Sequence, residues 1–229
     1  MAASPASRAT SPRGPRGPYA AADEQRARII EATVAHFAQH GFHASSLSRI
    51  ASEAGITKSG LVHHFRTKQG LLVAVLERID ERDSESVFLS QDTDLTTHFL
   101  RLVELARLNG ERPYRTRMFN MLLAEAGDPA HPAHAYFQRR YRRSLDDYSA
   151  SQIQQAQARG ELHPGTDALG TAREIAAVMD GFQYQWALDP DHFDMPARLH
   201  TYLDRLLRAL RTDRQGLPPY EPSARPRSG

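Results

Sequence analysis

Apolar side chains recur at three- and four-residue intervals along most of this chain, and nothing reads in the two-residue alternation of a half-buried strand. The rhythm predicts about nine helices. The first covers about 23–40, with Ile30, Val34 and Phe37 inward and Gly41 as terminator. Two short helices follow within 45–66. A fourth runs from Thr67 to about Asp83 through Leu72, Val75, Leu76 and Ile79, and a fifth from about 94 to 109 through Phe99, Leu102, Val103 and Ala106. The sixth, about 112–126, presents Met118, Met121 and Leu122 and stops at Gly127, Asp128 and Pro129. The seventh starts near Pro132 and continues to Arg159, aligning Phe137, Tyr141, Leu145 and Tyr148. The eighth, about 166–188, carries Ala172, Ile175, Met179, Phe182 and Trp186, and the ninth, about 196–211, carries Leu199, Tyr202, Leu203, Leu206 and Leu210. The expected fold class is all-α.

The second and third helices hold the clearest chemistry. In SSLSRIASEAGITKSGLVHHF, residues 45–65, Ser45 or Ser46 can cap a helix whose Leu47, Ile50 and Ala51 share one face. Gly55 supplies the positive φ of a sharp turn, Ile56 plugs the angle between the helices, and Thr57 can cap the next helix. Leu61 and Phe65 then point inward, leaving Lys58, Ser59, Val62 and His63 outward. This is the form of a helix-turn-helix, so double-stranded DNA is the expected partner. Ser46 and Thr57 suit phosphates; Lys58, Ser59 and His63 suit the major groove; His64 and Lys68 suit the DNA backbone at its edge; and Gly60 lets the helix come close.

These residues resemble the tetracycline-repressor (TetR) family of bacterial transcription regulators. The resemblance extends to RIIEATVAHFAQHGF at 28–42 and LVHHFRTKQGLLVAVLE at 61–77, and MDGFQYQWALDP at 179–190 is similar to a recurrent segment of the family's penultimate helix. Val62 and His63 stand where members commonly carry Tyr, and Gly70 where the linker helix often has an acidic or helix-favouring residue. The resemblance implies a DNA-binding domain at 22–66 and an effector-binding and dimerisation domain at 67–211. It implies a homodimer on an inverted-repeat operator, acting as a ligand-responsive repressor. The effector would be a small lipophilic or aromatic molecule among helices five to eight, lined by Phe99, Leu102, Met118, Met121, Leu122, Phe137, Tyr141, Met179 and Phe182, with His98, Asn120, Tyr148 and Gln183 able to orient it. Ala176, Ala177 and Gly181 let a partner helix approach, while Trp186, Tyr202 and Leu206 offer apolar anchors for the dimer.

Composition narrows the alternatives. A chain of 229 residues can bury a sizeable core, and its zero Cys exclude disulfides, thiol nucleophiles and cysteine zinc sites. No apolar run approaches the roughly 20 residues that span a bilayer, and no signal-peptide core follows the N-terminus, so a cytoplasmic location without membrane contact is expected. Residues 1–70 carry nine Lys or Arg against four Asp or Glu, concentrating positive charge where phosphate would be met. The Pro-, Ser- and Arg-rich arm at 1–21, with Arg8, Arg13 and Arg16, and the tail at 212–229 are expected to be disordered. Eleven His include the neighbours His63 and His64 and the group His131, His134 and His163, none in a metal-ligand pattern, so no metal and no cofactor are expected. No nucleophile elbow, phosphate loop or paired-carboxylate signature supports an enzyme. An architectural DNA binder without an effector and an all-helical enzyme remain the alternatives.

Overall fold

The computed structural model describes residues 18–87 and 94–222. Arg8, Arg13 and Arg16 lie outside them. Among the described residues ten α-helices and one π-helical segment follow in order: α1 (Pro18–His40), α2 (Leu47–Glu53), α3 (Lys58–His64), α4 (Lys68–Val87), α5 (Leu95–Gly110), α6 (Pro113–Glu125), α7 (His134–Tyr141), the π segment (Arg142–Ser149), α8 (Ala150–Ala158), α9 (Ala168–Leu188) and α10 (Met195–Leu210). Among the described residues the only strand-like pairing is an isolated bridge between Leu162 and Arg211.

Capping residues place most of the boundaries. Ser46, Thr57, Asp94, Asp167 and Asp194 each accept a backbone N–H from the first turn of the helix that follows. Pro113 and Pro196 sit in first turns, where a missing N–H costs nothing. The first expected boundary is corrected: α1 begins at Pro18, four residues inside the expected arm, because Pro tolerates the opening position and Ala20, Ala21 and Ala22 are the strongest helix formers.

Two apolar cores fill the molecule. The first joins Ile29, Val34 and Phe37 of α1 with Ile50, Leu61, Phe65, the α4 side chains Leu71, Leu72, Val75 and Leu76, and Met118, Leu122 and Phe137 from α6 and α7. The second packs Leu95, Phe99 and Val103 of α5 against Ile153, Ile175, Trp186, Leu199, Leu203 and Leu207. Helix α6 therefore lies against α1 on one side and α9 on the other.

The expected disordered tail is corrected over 212–222. Leu217 is buried, its N–H donates to Asp204 Oδ1 at 2.8 Å, and His200 Nε2 meets the Pro218 carbonyl at 2.9 Å. Tyr220 lies against the His200 ring, with centroids 5.4 Å apart. Pro218, Pro219, Pro222 and Gly216 disfavour a helix over this stretch, but one Leu and one Tyr among them find the groove beside α10.

Candidate DNA interface and effector cavity

The turn between α2 and α3 is closed by backbone geometry. Gly55 has φ +68°, its N–H bonds to Ser52 O at 3.1 Å, and the Ile56 N–H reaches back to Ala51 O at 2.9 Å. This pair of bonds is a Schellman closure, which satisfies the last carbonyls of α2 and throws the chain sharply into α3. Thr57 Oγ1 then accepts the Gly60 N–H at 3.1 Å and meets Ser59 Oγ at 3.1 Å. Leu61 and Phe65 are buried, while Thr57, Lys58, Ser59 and His63 are exposed together along α3. A Cβ built on Gly60 would approach nothing but Thr57 Oγ1, at 3.2 Å, so the outer side of the helix is otherwise open. Arg26 stacks on the Phe65 ring at 4.7 Å, and His36 Nδ1 meets the Glu53 carboxylate at 2.9 and 3.0 Å, fixing α3 and α2 to α1.

A cavity of about 250 Å³ opens among α4, α5, α6, α7, the π segment and α9. Its apolar wall includes Ile79, Leu102, Leu105, Phe119, Leu145, Ile175 and Met179; its polar groups include Asn109, Arg115, Arg140, Tyr141, Arg143, Tyr148, Asp180 and Gln183. Arg140 and Arg143 both pair with the buried Asp80, the latter at 3.1 Å. The Tyr141 hydroxyl donates to Asp180 Oδ2. Burial raises the Asp180 pKa, against the opposing pull of the Tyr141 hydrogen bond and the Arg140 charge, and burial also raises that of Tyr141. Burial lowers the Arg140 guanidinium to about 10, so it stays protonated at neutral pH.

Residues 29–75 match the family profile described as bacterial regulatory proteins, tetR family, and residues 98–210 match that of the BetI-type transcriptional repressor, C-terminal. The chain belongs to the TetR family. It is similar to the HTH-type transcriptional regulator TtgR of Pseudomonas putida, 29% identical over 195 residues that cover 83% of this chain and 93% of TtgR. It is also similar to the HTH-type transcriptional regulator BetI 2 of Chromohalobacter salexigens, 28% identical over 80% of this chain and 88% of that one. The structure of the SmeT–triclosan complex, SmeT being a repressor from Stenotrophomonas maltophilia, superposes with a TM-score of 0.74 at 21% identity, covering 89% of this chain and 99% of SmeT. The SmeT superposition shows that the helical fold is shared.

Within that shared fold, several expected site residues move. Lys68 is corrected: its ammonium donates to the carbonyls of Phe42, His43 and Ser45 at 2.8, 3.3 and 3.0 Å and lies 4.4 Å from the Phe42 ring centroid. It ties the start of α4 to the α1–α2 turn, leaving no donor directed at a DNA backbone. His64 is only partly buried, between the rings of His63 and Phe65. Ser46 is the α2 cap and is exposed, with Arg49 exposed one turn later; the arginine was missed because the cap, not the position three residues on, carried the sequence signal.

Of the nine expected cavity residues, Leu102, Tyr141 and Met179 line the cavity. Phe99 belongs to the second core; Met118, Leu122 and Phe137 belong to the first; Phe182 packs on Phe193 at 5.6 Å; and Met121 lies beneath Gly41. Periodicity marked the inward faces correctly, but it cannot say which inward side chains meet one another and which border a void. Among the polar residues, Tyr148 and Gln183 reach the cavity, whereas His98 and Asn120 are buried elsewhere. The sequence offered no sign of Arg140 and Arg143, which sit within a run of basic residues that reads as a solvated face.

On α9, Trp186 is corrected from dimer anchor to core, being 6% exposed against the second cluster. Ala177 is exposed, and Gly181 is partly exposed with nothing near a built Cβ. Tyr184 and Leu188, at 41% and 87% exposure, continue the same helical face. Tyr202 and Leu206 of α10 are partly buried against the second core. Among the described residues, no helix is long and apolar enough to cross a membrane and no group of three or more His, Asp or Glu could hold a metal; His131 meets Glu125 and His134 meets the Ala126 carbonyl.

Proposed function

We propose that this TetR-family protein is a homodimeric repressor that binds an inverted-repeat operator and leaves it when a small molecule occupies the cavity beside α9. The observation that carries the reading is the exposed edge of α3: Thr57, Lys58, Ser59 and His63 stand on a helix whose angle is fixed by the Gly55 turn and whose inner face is anchored by Leu61 and Phe65. One such helix reads only a few base pairs, so two copies related by a two-fold axis supply the operator length.

Dimerisation is assigned to the face of α9 bearing Ala177, Gly181, Tyr184 and Leu188, with Tyr202 and Leu206 of α10 beside it. Small residues allow close helix approach, and the Tyr and Leu supply area. Support for an effector comes from the cavity and from structural neighbours: SmeT is seen with triclosan, and FadR of Bacillus subtilis with stearoyl-CoA. Occupancy acts on DNA binding only if the effector prefers the non-binding spacing of the two reading heads.

Selection of duplexes from a randomised pool by the full-length protein tests the first claim, with an enriched inverted repeat expected. Lys58→Ala should then weaken that site by about 1–3 kcal/mol while sparing unrelated DNA. An equal loss on every sequence would place Lys58 on phosphate, and a pool without enrichment would favour an architectural binder.

A further inference from the structure

Resting on the reading of the cavity as an effector site, we propose that the effector is an amphipathic monoanion, with a carboxylate or phenolate head at Arg140 and Arg143 and an apolar body along Leu102, Leu105, Ile175 and Met179. The charges around the cavity are unequal. Three guanidiniums, those of Arg115, Arg140 and Arg143, line it against the single carboxylate of Asp180. Arg140 and Arg143 share Asp80, which lies outside the lining and gives one oxygen to each. Glu77 and Glu81 stand on the outer, exposed side of this cluster with Arg139, so on the cavity side the two guanidiniums face, among the described residues, only the Asp80 they share and Asp180. Asp180 answers them weakly, because it already accepts the Tyr141 hydroxyl and burial favours its protonated form.

The hydrogen-bond inventory leans the same way. Thr116, Ser144 and Tyr141 each donate their hydroxyl to a protein acceptor, namely the Asn109 carbonyl, the Arg140 carbonyl and Asp180. Each guanidinium carries five N–H donors, so with those hydroxyl donors spent the donors left facing this space are those of Arg140 and Arg143 beyond what they give to Asp80. A ligand that displaces water from it must bring acceptors or leave those donors unsatisfied. Arg140 is held over the Phe119 ring at 5.1 Å, a fixed wall, whereas the Arg143 side chain, with one nitrogen on Asp80, is 63% exposed at the edge of the cavity where a head group would enter. Arginine suits planar carboxylates in particular, since two parallel N–H bonds match two oxygens.

The test is calorimetric titration of the full-length protein with two series matched in body and differing in head: 2-naphthoate, 2-naphthylmethanol and 2-naphthylmethylammonium, then octanoate, octanol and octylammonium. In at least one series the carboxylate should bind about tenfold or more tighter than the alcohol, with the ammonium weakest. Arg143→Gln should lower the carboxylate's affinity about tenfold and leave the alcohol's unchanged, while Asp180→Asn should not weaken the carboxylate. If Arg143→Gln loses helix content, the head-group ranking on the unaltered protein and on Asp180→Asn decides alone. An alcohol that binds as well as the carboxylate, or an ammonium that binds better, overturns the anion and leaves the cavity as an effector site. No binding by any of the six up to about 1 mM overturns both.

Discussion

The ammonium of Lys68 faces three backbone carbonyls and an aromatic ring, so its charge is spent inside the protein. Lys68→Met should therefore lower stability by about 1–2 kcal/mol in urea titrations. It should leave the slope of log binding constant against log salt unchanged, whereas a lysine on phosphate would remove about one unit from that slope. His98 is the opposite case, a titratable ring with no charge to offer. It is fully buried, neither nitrogen has a hydrogen-bond partner, and its ring lies edge-on to Tyr148 at 5.3 Å. Burial, helped by the nearby Arg101 charge, lowers its pKa to about 4. The unfolded chain, near 6.5, then takes up the proton first as pH falls. Its contribution is complete above pH 6.5 and is lost progressively down to about pH 4, to an extent on the order of 3 kcal/mol. His98→Leu replaces the ring with an apolar group and should melt at or above the wild-type temperature at pH 5, narrowing the gap to pH 7.5; parallel losses in both proteins would exonerate His98. The sequence offered His98 as a polar group able to orient a ligand, but whether a buried imidazole finds a partner depends on neighbours far along the chain.

Gly41 and Gly55 both end helices with positive φ, and their surroundings separate them. A Cβ on Gly55, at φ +68°, would meet nothing within 4 Å; one on Gly41, at φ +67°, would lie 2.4 Å from Glu125 Oε1 and 3.1 Å from the Met121 sulfur. Gly55→Ala should cost about 1 kcal/mol, the left-handed backbone penalty alone. Gly41→Ala adds displacement of a carboxylate that accepts the Phe42 N–H at 3.0 Å, and should cost about 2–3 kcal/mol. Equal costs by chemical denaturation would mean that Glu125 swings aside freely. Both glycines were legible as helix stops, because the signal is local: Gly after the last periodic residue, a capping Ser or Thr before the next. The same locality made α2, α3, α5, α9 and α10 readable to within a residue or two. It failed where the outcome is set at a distance. The seventh helix was expected to run unbroken, yet residues 142–149 form a π segment that puts Arg143, Ser144, Leu145, Tyr148 and Ser149 on the cavity wall. No residue type marks a π turn, and such turns gather at functional sites because a shifted register re-aims side chains.

Helix α6 connects the two functions at the scale of the molecule. Arg115, Thr116 and Phe119 line the cavity from its first half, while Met121 and Glu125 of its second half press on Gly41 and Phe42 at the turn that leads into α2. His131 adds a second contact there, edge-on to Phe42 at 5.1 Å and 3.4 Å from Glu125. A shift of α6 by a ligand therefore reaches the reading head through packed groups rather than through a flexible linker. For such a shift to change operator binding the two heads must be held by a common dimer, which makes the α9 face decisive. Gly181 is the position at which to test it, because a Cβ there meets no atom of the described residues within 4 Å beyond its own helix backbone, and Gly is a poor residue inside a helix. Gly181→Arg should leave the protomer's helix content intact while placing a long cation where a partner helix must approach. Sedimentation should show a monomer in place of a dimer, and affinity for an inverted repeat should fall to that of a single half-site. A variant that remains dimeric would move the interface off this face of α9.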